Sequence, residues 1–71
     1  MQQKVHQISI EDAADIVENP RGSNRQMFVT KLQKNVKKPW LAIDNTNGTA
    51  TTEMFATREE AERWLVGYKV F

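Results

Sequence analysis

The sequence predicts an α+β fold: one small domain over residues 1–71, with two helices and an antiparallel sheet of three or four strands in the order (β)αβββα. Three patterns predict it: a short helix behind Ser9, an alternating strand over residues 27–32, and a strand-turn-strand-helix pattern over residues 40–65. A chain of 71 residues has room for one domain. Stabilities of about 3–5 kcal/mol are usual for cores of this size.

The first part of the chain predicts a short strand followed by a helix. Residues 5–8 suit a short strand at most, and Ser9 is a good N-cap for a helix over residues 9–18, whose first turn is acidic. Asn19-Pro20 ends this helix because a residue before proline avoids helical geometry. Apolar residues recur at helical spacing and predict a core-facing stripe, made of Ile10, Ala13, Ala14 and Val17.

The middle of the chain predicts two strands separated by polar segments. Residues 21–25 form a loop, and residues 34–39 form a polar connection to a strand that Pro39 opens. Alternation over residues 27–32 predicts a strand with two different faces. One face carries Phe28, Thr30 and Leu32, and the other carries Met27, Val29 and Lys31.

Asn47-Gly48 predicts a tight hairpin because both residue types accept positive φ angles. With these two as the central turn residues, the register follows by counting outward, so that Trp40 faces Phe55. The face predicted to form the core carries Leu41, Ile43 and Met54. The face predicted to stay exposed carries Trp40, Ala42, Asp44, Glu53 and Phe55.

A capping box predicts the start of the last helix. Thr57 and Glu60 have the spacing at which each side chain caps the other residue's backbone N–H. The stripe that follows recurs at i, i+3, i+4 and i+7, and comprises Ala61, Trp64, Leu65 and Tyr68. The helix is predicted over residues 57–67, beside the first helix, and the apolar tail 69–71 either docks on the sheet or contacts a partner.

Composition argues against an enzyme or a metalloprotein. The chain has no cysteine, a single histidine (His6) and three glycines, none of which belongs to a phosphate-binding loop. His6 has no partners that would make it a catalytic base. We therefore expect no catalytic residue, no metal ligand and no cofactor. No apolar run approaches the roughly 18 residues that span a bilayer, and the N-terminal residues lack a signal-peptide core, so we expect a cytoplasmic protein without a membrane partner.

The leading functional hypothesis is a non-enzymatic accessory protein that binds another, unidentified protein. A chain this small has more apolar surface than its core can cover, and exposed apolar surface is typical of binding sites. The candidate residues lie on the sheet face predicted to be exposed and in the tail: Trp40, Glu53, Val70 and Phe71.

Two alternatives remain open at this level. The net charge is only +1, but a central window without acids collects basic residues and suits a nucleic-acid-binding module. These residues are Arg21, Arg25, Lys31, Lys34, Lys37 and Lys38. The other alternative is a structural homodimer, so that monomer and homodimer are both compatible with the sequence.

Residues 40–65 carry a resemblance to known proteins. The pattern W-x-x-I-D-N-x-x-G…F-x-T-x-E-E-A-x-x-W-L resembles small uncharacterised proteins of Gram-positive bacteria and their phages, and implies a strand-hairpin-helix fold of mobile-element origin. The segment from Phe55 to Ala61 is also similar to the three-stranded DNA-binding domains of plant AP2-type factors and phage integrases. Those domains read DNA through strand arginine and tryptophan residues, whereas the strands here offer Lys31 and Trp40. The element order is similar to that of the double-stranded RNA-binding domain, but the last helix lacks its lysine cluster.

Overall fold

The computed structural model describes residues 4–32 and 36–67 and shows a four-stranded sheet with two helices. The elements are β1 (Val5–Gln7), α1 (Ile10–Glu18), a 3₁₀ turn (Pro20–Gly22), β2 (Met27–Lys31), β3 (Trp40–Asp44), β4 (Thr51–Phe55) and α2 (Arg58–Gly67). The sheet order is β1-β2-β3-β4. The predicted α+β fold and element order are confirmed.

The sheet is mixed rather than purely antiparallel. β2, β3 and β4 pair antiparallel, but β1 pairs parallel with β2. The reason is the connection: α1 and the 3₁₀ turn carry the chain back to the end of the sheet from which β1 started, which is how parallel neighbours are joined. The sequence of a three-residue strand contains no pattern that predicts whether it pairs parallel or antiparallel with its neighbour.

Helix α1 begins as predicted but faces the sheet differently. The Asp12 N–H donates to Ser9 Oγ at 3.1 Å, which confirms the N-cap. The buried residues are Ala13 and Ile16, whereas Ile10 and Val17 are 47% and 46% exposed. Ala14 is exposed as well, so Ala13 is the one residue of the predicted stripe that is buried, and Ile16, outside that stripe, is buried with it. The predicted stripe was therefore wrong, because the nine-residue helix contacts the sheet through Ala13 and Ile16, one turn apart, and its ends lie outside the core.

The hairpin register is confirmed, but its turn is not the one predicted. Trp40 lies opposite Phe55 and Asp44 opposite Thr51. A six-residue loop, 45–50, connects the strands, and the two positive φ angles within it are those of Gly48 (73°) and Ala50 (52°). The predicted positive φ at Asn47 was wrong. The predicted two-residue turn and the observed six-residue loop are both centred between residues 47 and 48, so they give the same strand pairing.

The two helices lie on opposite faces of the sheet, not side by side. Helix α2 packs on the face that was predicted to be exposed, and its buried cluster consists of Met27, Val29, Ala42, Ala61 and Leu65, flanked by Val5, Trp40, Phe55 and Trp64. Helix α1 packs on the other face around Phe28 and Ile43. Ala42 and Ala61 are fully buried and small, so the helix can approach the sheet closely there. The core face was predicted from its large aliphatic residues, and that criterion missed this role of alanine.

The capping box at the start of α2 is confirmed. The Thr57 N–H donates to Glu60 Oε1 and the Glu60 N–H donates to Thr57 Oγ1, both at 3.2 Å. One residue later, Arg58 donates to the Glu62 carboxylate and to the side-chain oxygen of Gln7, which ties α2 to β1. The predicted stripe residue Tyr68 and the tail 69–71 lie outside the described residues.

A buried asparagine joins the β3–β4 loop to the segment before β2. Asn45 is fully buried, and its Nδ2 donates to the carbonyl oxygens of Pro20 and Asn24, each at 2.9 Å. Its Oδ1 accepts from the Ala50 N–H at 3.1 Å. The side chain thus uses both donors and its acceptor to hold the end of the sheet where Arg25 lies.

Candidate interaction surface

Strand β4 forms one edge of the sheet. It pairs with β3, and no described residue pairs with its other side. The residues from Thr51 to Met54 are exposed, and Phe55 is half-buried against Trp64, with ring centroids 5.7 Å apart. An edge strand presents unpaired backbone N–H and C=O groups, which can pair with another chain.

Two hydrogen bonds at the ends of the β2–β3 ladder fix which backbone groups point toward that edge. The Asn45 N–H donates to Gln26 O at 2.9 Å, and the Leu32 N–H donates to Pro39 O at 2.6 Å. Both join residues that lie directly opposite each other in the β2–β3 register. In an antiparallel ladder, both groups of a residue point to the same neighbour, and successive residues alternate. In β3, the odd-numbered residues therefore bond to β2, and Trp40, Ala42 and Asp44 bond to β4.

The register then assigns the groups of β4. Phe55, Glu53 and Thr51 lie opposite the β3 residues that bond to β4, so their backbone groups are used within the sheet. Thr52 and Met54 alternate with them and direct their N–H and C=O groups outward. We call these four groups the free edge of β4. The side chains of Thr52 and Met54 lie on the α1 side of the sheet, since they face Ile43 and Leu41.

The free edge lacks most of the features that protect edge strands. Natural edges are shortened, bulged, or carry proline or lysine. The opposite edge, β1, has three residues, and the Gln7 side chain there is held by Arg58. β4 has five residues in a one-to-one register, without proline or lysine. Its single charge is Glu53, an exposed residue on the α2 side that forms no ion pair with any described residue.

The structure separates the residues predicted to bind protein. Trp40 is half-buried at the margin of the α2 cluster, with Lys31 Nζ 5.9 Å from its ring centroid, so it does not lie on an exposed sheet face. Glu53 is exposed, but it belongs to the edge strand rather than to an open sheet face. Val70 and Phe71 lie outside the described residues.

The basic window is divided between the two ends of the sheet. Arg21 and Arg25 lie near the β3–β4 loop, where a β-carbon built on Gly48 would be 2.8 Å from the guanidinium carbon of Arg25. Lys31, the last residue of β2, is exposed at the other end of the sheet, and Lys37 and Lys38 are exposed in the connection before β3. A five-residue strand, roughly 17 Å long, separates the two groups. Lys34 lies outside the described residues.

A cavity of about 320 Å³ lies between α1 and the segment after the 3₁₀ turn. Ile8, Ile16 and Phe28 line it, together with the acidic residues Asp12 and Asp15 and the segment 22–24. His6 packs on Phe28 with ring centroids 6.1 Å apart. Within residues 4–32 and 36–67, no group of three or more histidine or acidic residues could hold a metal ion.

Comparisons with known proteins found no relative. No family model matches the chain, and no curated protein or solved structure matches it. The resemblances drawn from residues 40–65 therefore stay predictions. Among the described residues, neither helix is long and apolar enough to cross a membrane.

Sequence reasoning missed the free edge of β4 as a surface. The signal that could have found it is local: Thr51, Thr52 and Met54 suit a strand, and the neighbouring sequence supplies no lysine or proline to block it. What the sequence could not give is the strand order, which decides whether β4 lies at the edge or in the middle of the sheet.

Proposed function

We propose that this protein is a non-enzymatic protein-binding module, and that it binds an extended segment of its partner as an additional strand along β4. The observation that carries the proposal is the outward direction of the backbone groups of Thr52 and Met54. Strand addition to an exposed edge is a recurrent mode of peptide recognition, in which backbone bonds give affinity and alternate side chains give specificity.

Backbone pairing alone would give weak binding. The free edge offers four hydrogen-bonding groups, and each bond contributes roughly 0.5–1.5 kcal/mol net. Fixing the backbone of each partner residue costs about 1–2 kcal/mol. Side chains beside the edge must therefore add to affinity, and exposed Met54 offers apolar contact on the α1 side. This balance suits a reversible accessory interaction.

Replacing Thr52 by proline tests the proposal. Thr52→Pro removes one outward N–H and leaves the N–H groups that bond to β3, and edge strands tolerate proline in that orientation. The matched control is Thr52→Val, which keeps the donor and the β-branched shape. Circular dichroism first establishes that both variants fold, and Met54→Pro replaces Thr52→Pro if that variant does not. Tagged proteins are then used to capture partners from a host lysate with and without nuclease.

We expect nuclease-resistant partners with the original protein and with Thr52→Val, and their loss with the folded proline variant. Retention by the proline variant would contradict strand addition. The competing function is nucleic-acid binding through the exposed end that carries Lys37 and Lys38. Nucleic-acid binding would replace the present proposal if three results occur together. Nuclease abolishes the enrichment, the proline variant retains it, and changing Lys34, Lys37 and Lys38 to glutamine removes it.

A further inference from the structure

We propose that Glu53 selects the partner strand, so that β4 accepts an antiparallel strand with lysine or arginine opposite Glu53 and rejects a second copy of itself. This inference rests on the function proposed above and names the chemistry of the partner. Its basis is the position of Glu53, whose own backbone groups bond to β3 while its side chain stands exposed between the two outward-facing residues Thr52 and Met54.

Self-pairing of β4 would bring two glutamates together. Across a two-fold axis perpendicular to the sheet, the antiparallel register that pairs all five residues places Thr52 opposite Met54 of the second copy. It also places Glu53 opposite Glu53 of the second copy. That central pair is of the non-hydrogen-bonded kind, in which α-carbons are only about 4.5 Å apart. Like charges directly opposite each other on one face of a sheet are destabilising.

Other registers avoid this contact but lose pairing. Sliding the copies so that Thr52 or Met54 lies on the axis moves the register by two residues, and three of the five residues of β4 then remain paired. A slide by one residue would join the α2 side of one sheet to the α1 side of the other, because side chains alternate between faces. Glu53 therefore acts against the most complete self-pairing of an edge that no other described residue covers.

The same geometry favours a basic partner strand. A lysine or arginine opposite Glu53 would replace the repulsion by attraction at close range, on the α2 side of the sheet. No described residue forms an ion pair with the Glu53 carboxylate; the ion pair on the neighbouring helix joins Arg58 to Glu62. On the other side, Thr52 and Met54 suit β-branched or apolar residues of the partner strand. Charge thus fixes the register of the incoming strand and identifies its central residue.

Synthetic peptides test this inference directly. Three capped heptapeptides of the form Thr-Val-Thr-X-Thr-Val-Thr, with lysine, glutamate or threonine as X, are titrated at low salt into the ¹⁵N-labelled full chain. Dissociation constants are taken from the shifts of the Thr52 and Met54 amides. We expect the lysine peptide to bind about three to tenfold more tightly than the glutamate peptide, with threonine between them. Glu53→Lys should reverse this order. Glu18→Lys, which makes the same change of charge at the exposed end of α1, should preserve it.

The outcomes separate the two proposals. Equal affinities of the three peptides at the Thr52 and Met54 amides would overturn the role of Glu53 and leave strand addition intact. If no peptide moves these amides, the proposed function itself is overturned. Sedimentation gives an independent test, in which Glu53→Thr should self-associate more tightly than the original chain. If the original chain is a dimer and Glu53→Thr dimerises equally tightly, the proposed role of Glu53 in preventing self-pairing is contradicted.

Discussion

Replacing Asn45 by alanine should remove most of the stability of this domain. The side chain is fully buried and makes three hydrogen bonds: two from Nδ2, to Pro20 O and Asn24 O, and one to Oδ1, from the Ala50 N–H. Alanine removes all three bonds: the Ala50 N–H loses this acceptor, whereas Pro20 O and Asn24 O keep the bonds they accept from the Ser23 and Gln26 N–H groups. A lost hydrogen bond costs about 1 kcal/mol, and an unsatisfied buried group can cost more, so the expected loss is about 3 kcal/mol.

The size of this loss makes it easy to measure. A domain with a core of this size has a free energy of unfolding of about 3–5 kcal/mol, and its urea dependence is about 1 kcal/mol per molar. We therefore expect the urea midpoint of Asn45→Ala to fall by about 3 M when unfolding is followed by circular dichroism. The matched control is Asn47→Ala in the same loop, where the asparagine is exposed, and the expected change is within about 0.5 kcal/mol. Equal midpoints for the two variants would refute the reasoning, because they would show that the three bonds add no net stability.

Two further substitutions test local features of the fold. Thr57→Ala removes the acceptor of the Glu60 N–H and should cost about 1 kcal/mol in urea unfolding; the capping account is contradicted if the exposed substitution Thr49→Ala costs as much. Gly48→Ala introduces a side chain at a φ of 73° and a β-carbon 2.8 Å from the Arg25 guanidinium carbon. It should cost about 1–2 kcal/mol in thermal unfolding, and a melting temperature at or above that of the original chain would show that the loop does not need glycine.

Local signals in the sequence were sufficient for much of the fold. Ser9, Thr57 and Glu60 cap the two helices as their spacing predicts, because a cap depends on residues within one turn. The β3–β4 register was also predictable, since Asn47-Gly48 marks the centre of the connection even though the turn itself is different. These features depend on contacts between near neighbours in sequence.

The remaining features depend on contacts that no local pattern records. The choice of face for α2 depends on Ala42 and Ala61, whose small size matters only once helix and sheet meet. Asn45 carries no local signal of its buried role, because its bonds to Pro20 O and Asn24 O span 25 and 21 residues of sequence. The same holds for the candidate site. The sequence indicated Glu53 as a candidate binding residue, but only the strand order reveals that it lies on an open edge.

Amide hydrogen exchange of the free protein, followed residue by residue by NMR, tests the central claim most directly. The structure predicts alternation along β4: the amides of Thr51, Glu53 and Phe55 bond to β3 and should exchange slowly, whereas those of Thr52 and Met54 should exchange quickly. Slow exchange at Thr52 and Met54, comparable to that of their neighbours, would contradict the claim, because it would show that the edge is already paired in the protein alone.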